Sequence, residues 1–269
     1  MDSIHALILG IVQGVTEYLP VSSSAHLILV PKILGFHISH QNNFVFDILV
    51  QLGTLVGVVF YFYDDLLNIA KQMCLGIYQK KPFLNTEARL GWLVLLATIP
   101  ASIIGLSFKD EIASLFSSTK AALIFLIVTA IILVVAELFA KSLRNNVKIS
   151  DSLAMGFAQS LALFPGISRS GSTISTGMLL GLSRQAAAKF SFIMSIPVMV
   201  GASIIAFKEL FSKAEMMQQM VIPLLVGFVA AAISGYLVIK WFLAFLKQKS
   251  LLWFAAYCFA VGFIGLIVI

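Results

Sequence analysis

The sequence predicts an all-α polytopic membrane protein built as an inverted-topology repeat, each half one re-entrant helical hairpin plus three transmembrane helices. Three observations carry this. Of the 269 residues, 60% are hydrophobic and only 11% charged, with a mean hydropathy of +1.01, whereas soluble domains carry about 25% charged residues. Two apolar stretches are broken by proline, glycine and hydroxyls, around Pro20 to Ser24 and around Phe164 to Thr173. Finally, an ungapped shift of 146 positions pairs Gly10 with Gly156, Gln13 with Gln159, Ser22 with Ser168, Ser24 with Ser170, Ile28 with Ile174, Gly35 with Gly181, Phe44 with Phe190 and Phe46 with Phe192. Composition alone does not place glutamines and serines at matching breaks. The chain reads as one integral membrane domain, 1–269, with repeat one at about 1–140 and repeat two at about 150–269.

Residues 1–35 are apolar but cut by Glu17, Pro20, Ser22, Ser23, Ser24 and His26. Neither half reaches the roughly 20 apolar residues that a spanning helix needs. The reading is a helix from about 3 to 18, a turn at Leu19–Val21 and a short helix from Ser22. Residues 36–43 read as a polar loop. A span follows at 44–63, with Asp47 and Gln51 one helical turn apart. Residues 64–89 read as a long polar loop with Lys71, Lys80, Lys81 and Arg89. Spans at 90–108 and 120–140 are joined by a short loop of Lys109, Asp110 and Glu111. A second basic loop holds Lys141, Arg144 and Lys148, and 152–182 is the second broken segment. Spans at 186–207, 221–239 and 251–269 complete the chain, with Lys240, Lys247 and Lys249 before the last. Pro100, Pro197 and Pro223 read as helix kinks. Glu137, near a span end, reads as interfacial.

The basic loops check this layout. Placed together on the cytoplasmic side, they require an even number of crossings between them, which holds only if 152–182 does not cross. Both termini are then outside. The net charge of +6 sits in these loops, which suits anionic lipid rather than nucleic acid. The N-terminus lacks a basic n-region, so no cleavable signal is expected. Cys74 and Cys258 form no metal or redox pattern.

Unsatisfied backbone and a buried arginine are costly at membrane depth, so the breaks mark a site. Ser22, Ser23, Ser24 and Ser168, Arg169, Ser170 each open a short helix, where serines cap free N–H groups. Two such ends aimed at one point make an anion site, and Arg169 adds a planar fork suited to phosphate oxygens. Plain capping by the serines and a structural ion pair for Arg169 are the blander readings. Gln13 and Glu17 share a helix face, and Glu17 needs Arg169, a divalent cation or a proton as its partner. His26 shares the face of Ser22 and Ser23 and suits acid–base chemistry, or else is a hydrogen-bonded core residue. Asp47 and Gln51 are candidates for supporting the site from behind.

Two stretches carry a resemblance to a known family. Gln13-Gly14-Val15-Thr16-Glu17-Tyr18-Leu19-Pro20-Val21-Ser22-Ser23-Ser24-Ala25-His26 resembles the E/Q-x-x-x-E, P-V-S-S and H signature of the undecaprenyl-diphosphate phosphatases, also called bacitracin-resistance proteins. Pro165-Gly166-Ile167-Ser168-Arg169-Ser170-Gly171-Ser172-Thr173 looks like that family's P-G-x-S-R-S-x-x-T motif. Length, span layout and the segment Phe46-Asp47 to Gln51-Leu52-Gly53 agree. The resemblance implies hydrolysis of undecaprenyl diphosphate to undecaprenyl phosphate and inorganic phosphate, recycling the carrier lipid of peptidoglycan synthesis and conferring bacitracin resistance. It also implies a bacterial plasma membrane location, a site facing the extracytoplasmic side, and a divalent cation, Mg²⁺ or Ca²⁺.

The family's functional residues fall on Gln13, Glu17, Ser23, His26, Ser168, Arg169 and Thr173. Many members have Glu at the place of Gln13, which here can be neither a base nor a charged metal ligand, so carboxylate work shifts to Glu17. The resulting expectation has Glu17, Ser23, His26 and Arg169 catalytic, Glu17 being also the possible metal ligand. Gln13, Ser22, Ser24, Ser168, Ser170 and Thr173 would hold phosphate. Ser23 is the expected nucleophile with His26 as acid or base, and direct attack by water is the alternative. A homodimer is left open. The type-2 phosphatidic-acid phosphatases are set aside, because no histidine follows Arg169 at their spacing. A transporter for an anion or lipid phosphate is the rival reading, since broken helices and inverted repeats serve both.

Overall fold

The computed structural model describes residues 2–36, 40–108, 111–112, 115, 118–141, 144–211 and 214–268, and describes no side chains for 40–44 and 205–220. The expected loop residues 37–39, 109 and 110 thus lie outside the described residues, as does residue 269. The described residues form eleven named helices and no strand. They are α1 (Ser3–Tyr18), α2 (Ser23–Ile33), α3 (His40–Tyr61), α4 (Tyr63–Tyr78), α5 (Thr86–Ser107), α6 (Thr119–Phe139), α7 (Ile149–Leu161), α8 (Arg169–Leu179), α9 (Arg184–Phe211), α10 (Ala214–Phe245) and α11 (Leu252–Val268).

The helix boundaries follow local chemistry. Asp2 caps α1 by accepting the His5 N–H at 2.8 Å, and Leu19 leaves the helix (φ −72°, ψ 146°) because Pro20 disfavours α geometry before it. Asn85 and Ser118 cap α5 and α6. Among the described residues four helices are long and apolar enough to cross a membrane: Thr86–Ser107, Thr119–Phe139, Arg184–Ile204 and Val221–Phe245. The apolar α11 has 17 residues, and α3 with α4 forms a pair bent by 76° that counts as a fifth crossing at most. The chain is therefore an all-helical, multi-pass membrane protein.

One reading is corrected. Residues 64–89 are not a continuous loop, because α4 occupies Tyr63–Tyr78. Its polar residues obscure a stripe of Leu66, Ile69, Met73 and Gly76 at helical spacing. That stripe packs on α5, where a Cβ on Gly91 would lie 2.1 Å from the Met73 Sδ and 2.8 Å from an Ile69 methyl.

Both breaks are helix–turn–helix segments. Helices α2 and α8 are each 11 residues long, and their first residues stand 146 positions apart. The packing follows the same correspondence: α10 lies against α1 and α3, and α5 lies against α7 and α9. Small residues permit these approaches. A Cβ on Gly10 would sit 2.4 Å from the Gly227 carbonyl oxygen, and one on Gly156 would sit 2.5 Å from that of Ala97.

The two turns also hold one another. The Gly166 N–H donates to Ser24 Oγ at 3.2 Å, and Ser170 Oγ donates to the Leu19 carbonyl at 2.9 Å. Behind the second turn, Thr129 of α6 donates to the Gly166 carbonyl and accepts the Ser168 N–H, both at 3.0 Å. Behind the first, Cys258 of α11 donates to the Pro20 carbonyl at 3.6 Å. Pro20 is the position that Gly166 matches. Gly166 itself has φ +103°, and any Cβ there would strike the Ala122 carbonyl oxygen at 2.2 Å, so only glycine fits.

At the end carrying the basic loops, Arg144 bonds both Asp151 oxygens (2.6 and 2.7 Å) and the Leu180 carbonyl (2.9 Å). Glu137 is not merely interfacial: it pairs with Arg184 and accepts the Leu251 N–H, tying α6, α9 and the start of α11. Burial pushes the Asp151 carboxyl up, but its bonds to Arg144 and to the Lys148 N–H outweigh this and hold it below the ordinary value of 3.8.

Two measurements check this frame. A depressed carboxyl contributes stability above its unfolded pKa that is lost as pH falls through the folded value. Asp151→Asn is therefore expected to cost about 2 kcal/mol near neutral pH, with the gap in melting temperature from wild type closing below about pH 4; a pH-independent gap refutes the assignment. Thr129→Val keeps the volume but strands the Gly166 carbonyl and the Ser168 N–H, at about 1–3 kcal/mol each. The expected outcome in detergent is a clear drop in melting temperature that Thr129→Ser does not share.

Candidate active site

Ser22 caps α2 from a left-handed backbone (φ 67°, ψ 98°), with the Ala25 N–H at 3.5 Å from its Oγ. Ser168 caps α8 from ordinary extended backbone, accepting the Gly171 N–H at 3.0 Å. In each turn the cap serine lies 3.1 Å from the serine two residues on, Ser22 from Ser24 and Ser168 from Ser170. The two helix ends thus share one local design, and the cross-ties between the turns hold them beside each other.

What stands between them is not symmetric. Arg169 Nη2 donates to Glu17 Oε1 at 2.7 Å. Ser23 Oγ donates to Glu17 Oε2 at 2.7 Å, and Gln13 Nε2 donates to the same oxygen at 3.0 Å. The side chains of Arg169 and Glu17 are 14% and 9% exposed, so water screens the pair weakly while leaving the guanidinium an open edge. Arg169 Nη1 reaches the Ser191 carbonyl at 3.4 Å, and the guanidinium lies 5.8 Å from the Tyr18 ring centroid. Tyr18 is itself held by donation to the Thr54 carbonyl at 2.7 Å. Thr173 donates to the Arg169 carbonyl at 2.8 Å and shares a 2.6 Å hydroxyl contact with Ser191.

Of the residues singled out in the sequence, Gln13, Glu17, Ser23 and Arg169 form one bonded cluster. Thr173 supports it through Ser191 and the Arg169 backbone, and Ser22, Ser24, Ser168 and Ser170 build the two helix ends. His26 stands apart from the cluster. Its Nδ1 lies 2.8 Å from the Ser22 carbonyl and its Nε2 lies 2.7 Å from the Tyr257 hydroxyl, so both ring nitrogens are engaged away from Ser23. The neighbouring helix is the reason: on that face the ring meets Tyr257 of α11. Asp47 has an exposed side chain on α3 and no bond to the cluster among the described residues. Among the described residues Gln51 connects through its carbonyl, which accepts from Thr54.

The sequence reading passed over Ser191, Thr129 and Tyr257. A lone hydroxyl inside an otherwise apolar span was the available signal for Thr129 and Tyr257, and Ser191 lay in Phe190-Ser191-Phe192 beside two repeat-matched phenylalanines.

Comparison with known proteins identifies the family. A family model described as bacitracin resistance protein BacA matches residues 6–264. The undecaprenyl-diphosphatase of Carboxydothermus hydrogenoformans is 43% identical, covering 97% of this chain and 95% of its own length. Those of Methanosphaera stadtmanae and Thermomicrobium roseum are each 38% identical, covering 99% and 100% of this chain and 98% and 99% of their own lengths. With nearly every residue of the fold and both hairpins inside the match, this chain belongs to the bacitracin resistance protein BacA family.

Proposed function

We propose that this protein is an undecaprenyl-diphosphate phosphatase: it hydrolyses undecaprenyl diphosphate to undecaprenyl phosphate and inorganic phosphate. The observation that carries the reading is the Ser23–Glu17–Arg169 chain at two helix N-termini. It joins a hydroxyl nucleophile, a carboxylate within hydrogen-bond reach of it and a guanidinium, which is the set a phosphoryl transfer requires. A transporter would need the anion-binding ends but not the serine hydrogen-bonded to a carboxylate, and the curated relatives carry a diphosphatase name. The reaction would return a carrier lipid to peptidoglycan synthesis in the plasma membrane and, by consuming the diphosphate, would confer bacitracin resistance.

The site residues divide as follows. The Arg169 fork and the N-terminal N–H groups of α2 and α8 take the terminal phosphate, with Ser22, Ser24, Ser168 and Ser170 lining the ends. Ser23 Oγ attacks the terminal phosphorus; the new O–P bond forms as the bridging P–O bond breaks and the lipid monophosphate departs with that electron pair. Glu17 accepts the Ser23 proton and releases it to the departing phosphate. In the second half-reaction Glu17 takes a proton from the water that attacks the phosphoserine and returns it to Ser23 Oγ. Contact geometry favours Glu17 over His26 as the base. In the alternative course Ser23 and Glu17 orient a water that attacks directly.

Among the described residues no three His, Cys, Asp or Glu side chains come together to hold a metal. Glu17 and the free amide oxygen of Gln13 do suit a divalent cation that arrives on the diphosphate, because Mg²⁺ is commonly held by one or two carboxylates plus substrate phosphates. Such a cation, Mg²⁺ or Ca²⁺, would supply neutralisation of the diphosphate charge.

We read the two broken segments as re-entrant hairpins of an inverted repeat, about 1–140 and about 150–269, with the site open to the extracytoplasmic side. Equal lengths of α2 and α8, their 146-residue offset and the matching packing of α10 and α5 support this.

The test is release of labelled phosphate from terminally labelled undecaprenyl diphosphate by detergent-purified protein, with no membrane gradient present. Turnover by wild type and label trapped on Ser23 after rapid quench are expected; absence of turnover sinks the enzyme reading, and turnover without trapped label assigns attack to water. Arg169→Lys is expected to lower kcat/KM by at least about 100-fold, because a point charge cannot replace the bidentate fork. A near-normal rate would remove Arg169 from the phosphate site.

A further inference from the structure

We propose that Tyr257 is a positioning residue for the reaction: its hydroxyl satisfies Nε2 and fixes the orientation of His26, and His26 in turn holds the turn that presents Ser23 to Glu17. The inference rests on the phosphatase reading for its kinetic consequence but on geometry alone for the device itself.

Tyr257 comes from α11, 231 residues away in sequence, and its hydroxyl lies 2.7 Å from His26 Nε2. The two rings are within 8° of parallel, with centroids 5.7 Å apart. On the other side, His26 Nδ1 lies 2.8 Å from the Ser22 carbonyl. A carbonyl only accepts, so Nδ1 carries the proton; in the neutral ring Nε2 is then the acceptor and the tyrosine O–H donates. The chain of donation therefore runs Tyr257 to His26 to Ser22 with one polarity. His26 is buried, so without the tyrosine hydroxyl Nε2 would be a buried acceptor with no partner.

The carbonyl at the end of this chain belongs to a strained residue. Ser22 has φ 67°, a conformation that a residue with a Cβ keeps only where its surroundings over-determine it. The next residue is Ser23, whose Oγ donates to Glu17 at 2.7 Å. Holding the Ser22 carbonyl thus sets the direction in which Ser23 leaves the turn. The neighbouring Cys258 donates to the Pro20 carbonyl, so two consecutive residues of α11 grip both ends of this one turn.

The second hairpin isolates what is special about Tyr257. Its turn is held by Thr129 at Gly166 and Ser168, much as Cys258 holds Pro20. Yet the residue preceding Thr129 is Val128, which has no hydroxyl. The position matching His26 is Ser172, whose buried Oγ has no partner. Its cap, Ser168, has φ −73°, free of the left-handed strain. The clamp is common to both hairpins, whereas the histidine–tyrosine pair occurs only on the one that carries Ser23 and Glu17.

The experiment compares wild type with Tyr257→Phe, which keeps the ring and its stacking and removes one oxygen. Protein labelled with ¹⁵N-histidine, the His26 signals assigned with His26→Gln, reports the ring tautomer without substrate. Expected are a single Nδ1–H tautomer in wild type and, in Tyr257→Phe, an Nε2 signal shifted toward that of an acceptor without a hydrogen bond, with a broadened ring orientation. In the phosphate-release assay kcat is expected to fall about tenfold, with KM within about twofold. Unchanged His26 signals, or wild-type kcat, would overturn the proposal. Because the spectrum needs no turnover, a protein that releases no phosphate fails the functional reading while the positioning of His26 is still decided.

Discussion

The structure turns on the ion pair between Glu17 and Arg169. Two charges taken largely out of water cost several kcal/mol each in desolvation, by order of magnitude, and their attraction offsets this only with good geometry and further hydrogen bonds. Here Glu17 receives Arg169, Ser23 and Gln13 together. The partners lie 152 residues apart on different hairpins, so the pair exists only if the two turns are fixed against each other. The bonds from Gly166 to Ser24 and from Ser170 to Leu19 do that. Those bonds in turn need α6 and α11 behind the turns. The glycines that let α10 and α5 approach α1 and α7 complete the dependence. The arrangement also suits the chemistry. With no anion bound, Arg169 is paired with Glu17; in the proposed mechanism an arriving phosphate would compete for it and free Glu17 to accept the Ser23 proton.

On the proposed repeat, divergence within one frame would account for how one hairpin became the reactive one. At the 146-residue offset, Gln13 matches Gln159, Glu17 matches Leu163, Ser23 matches Arg169, and His26 matches Ser172. The capping serines are alike on both sides, because any helix end in an apolar setting must satisfy its first N–H groups. What differs is what the frame holds. The second hairpin supplies the cation and keeps Gln159 buried without a partner, since Leu163 offers its amide no carboxylate. The first supplies carboxylate, hydroxyl and the clamped histidine.

The sequence made the all-helical membrane class, the two breaks and the Gln13, Glu17, Ser23 and Arg169 cluster legible, because each violates the apolar background at a spacing that only local geometry explains. Helix α1, read as about 3 to 18, spans Ser3–Tyr18, since Pro20 ends it. Other features were opaque for definable reasons. The helix α4 was hidden because its apolar stripe is only half of a polar segment, and composition averages the two faces. His26 pointed away from Ser23 because a helical wheel gives the face a residue occupies, not which neighbouring helix lies there. Thr129, Ser191 and Tyr257 act on residues 18 to 231 positions away, and no local pattern carries such contacts. The exposure of Asp47 has the same origin: a one-turn polar pair announces a face but not the partner it meets.

The presence of glutamine rather than glutamate at position 13 now has a geometric consequence. Gln13 Nε2 donates to Glu17 Oε2 at 3.0 Å, which a carboxylate there could not do. A glutamate in its place would bring a second negative charge within hydrogen-bond distance of the first, and two carboxylates so close need a cation between them. With glutamine, the amide nitrogen itself stabilises the ionised Glu17, and only the amide oxygen is left to face a metal. The cluster is therefore charge-balanced by protein groups alone, one carboxylate to one guanidinium. Any divalent cation in this chain's reaction answers to the charge of the diphosphate more than to the charge of the site.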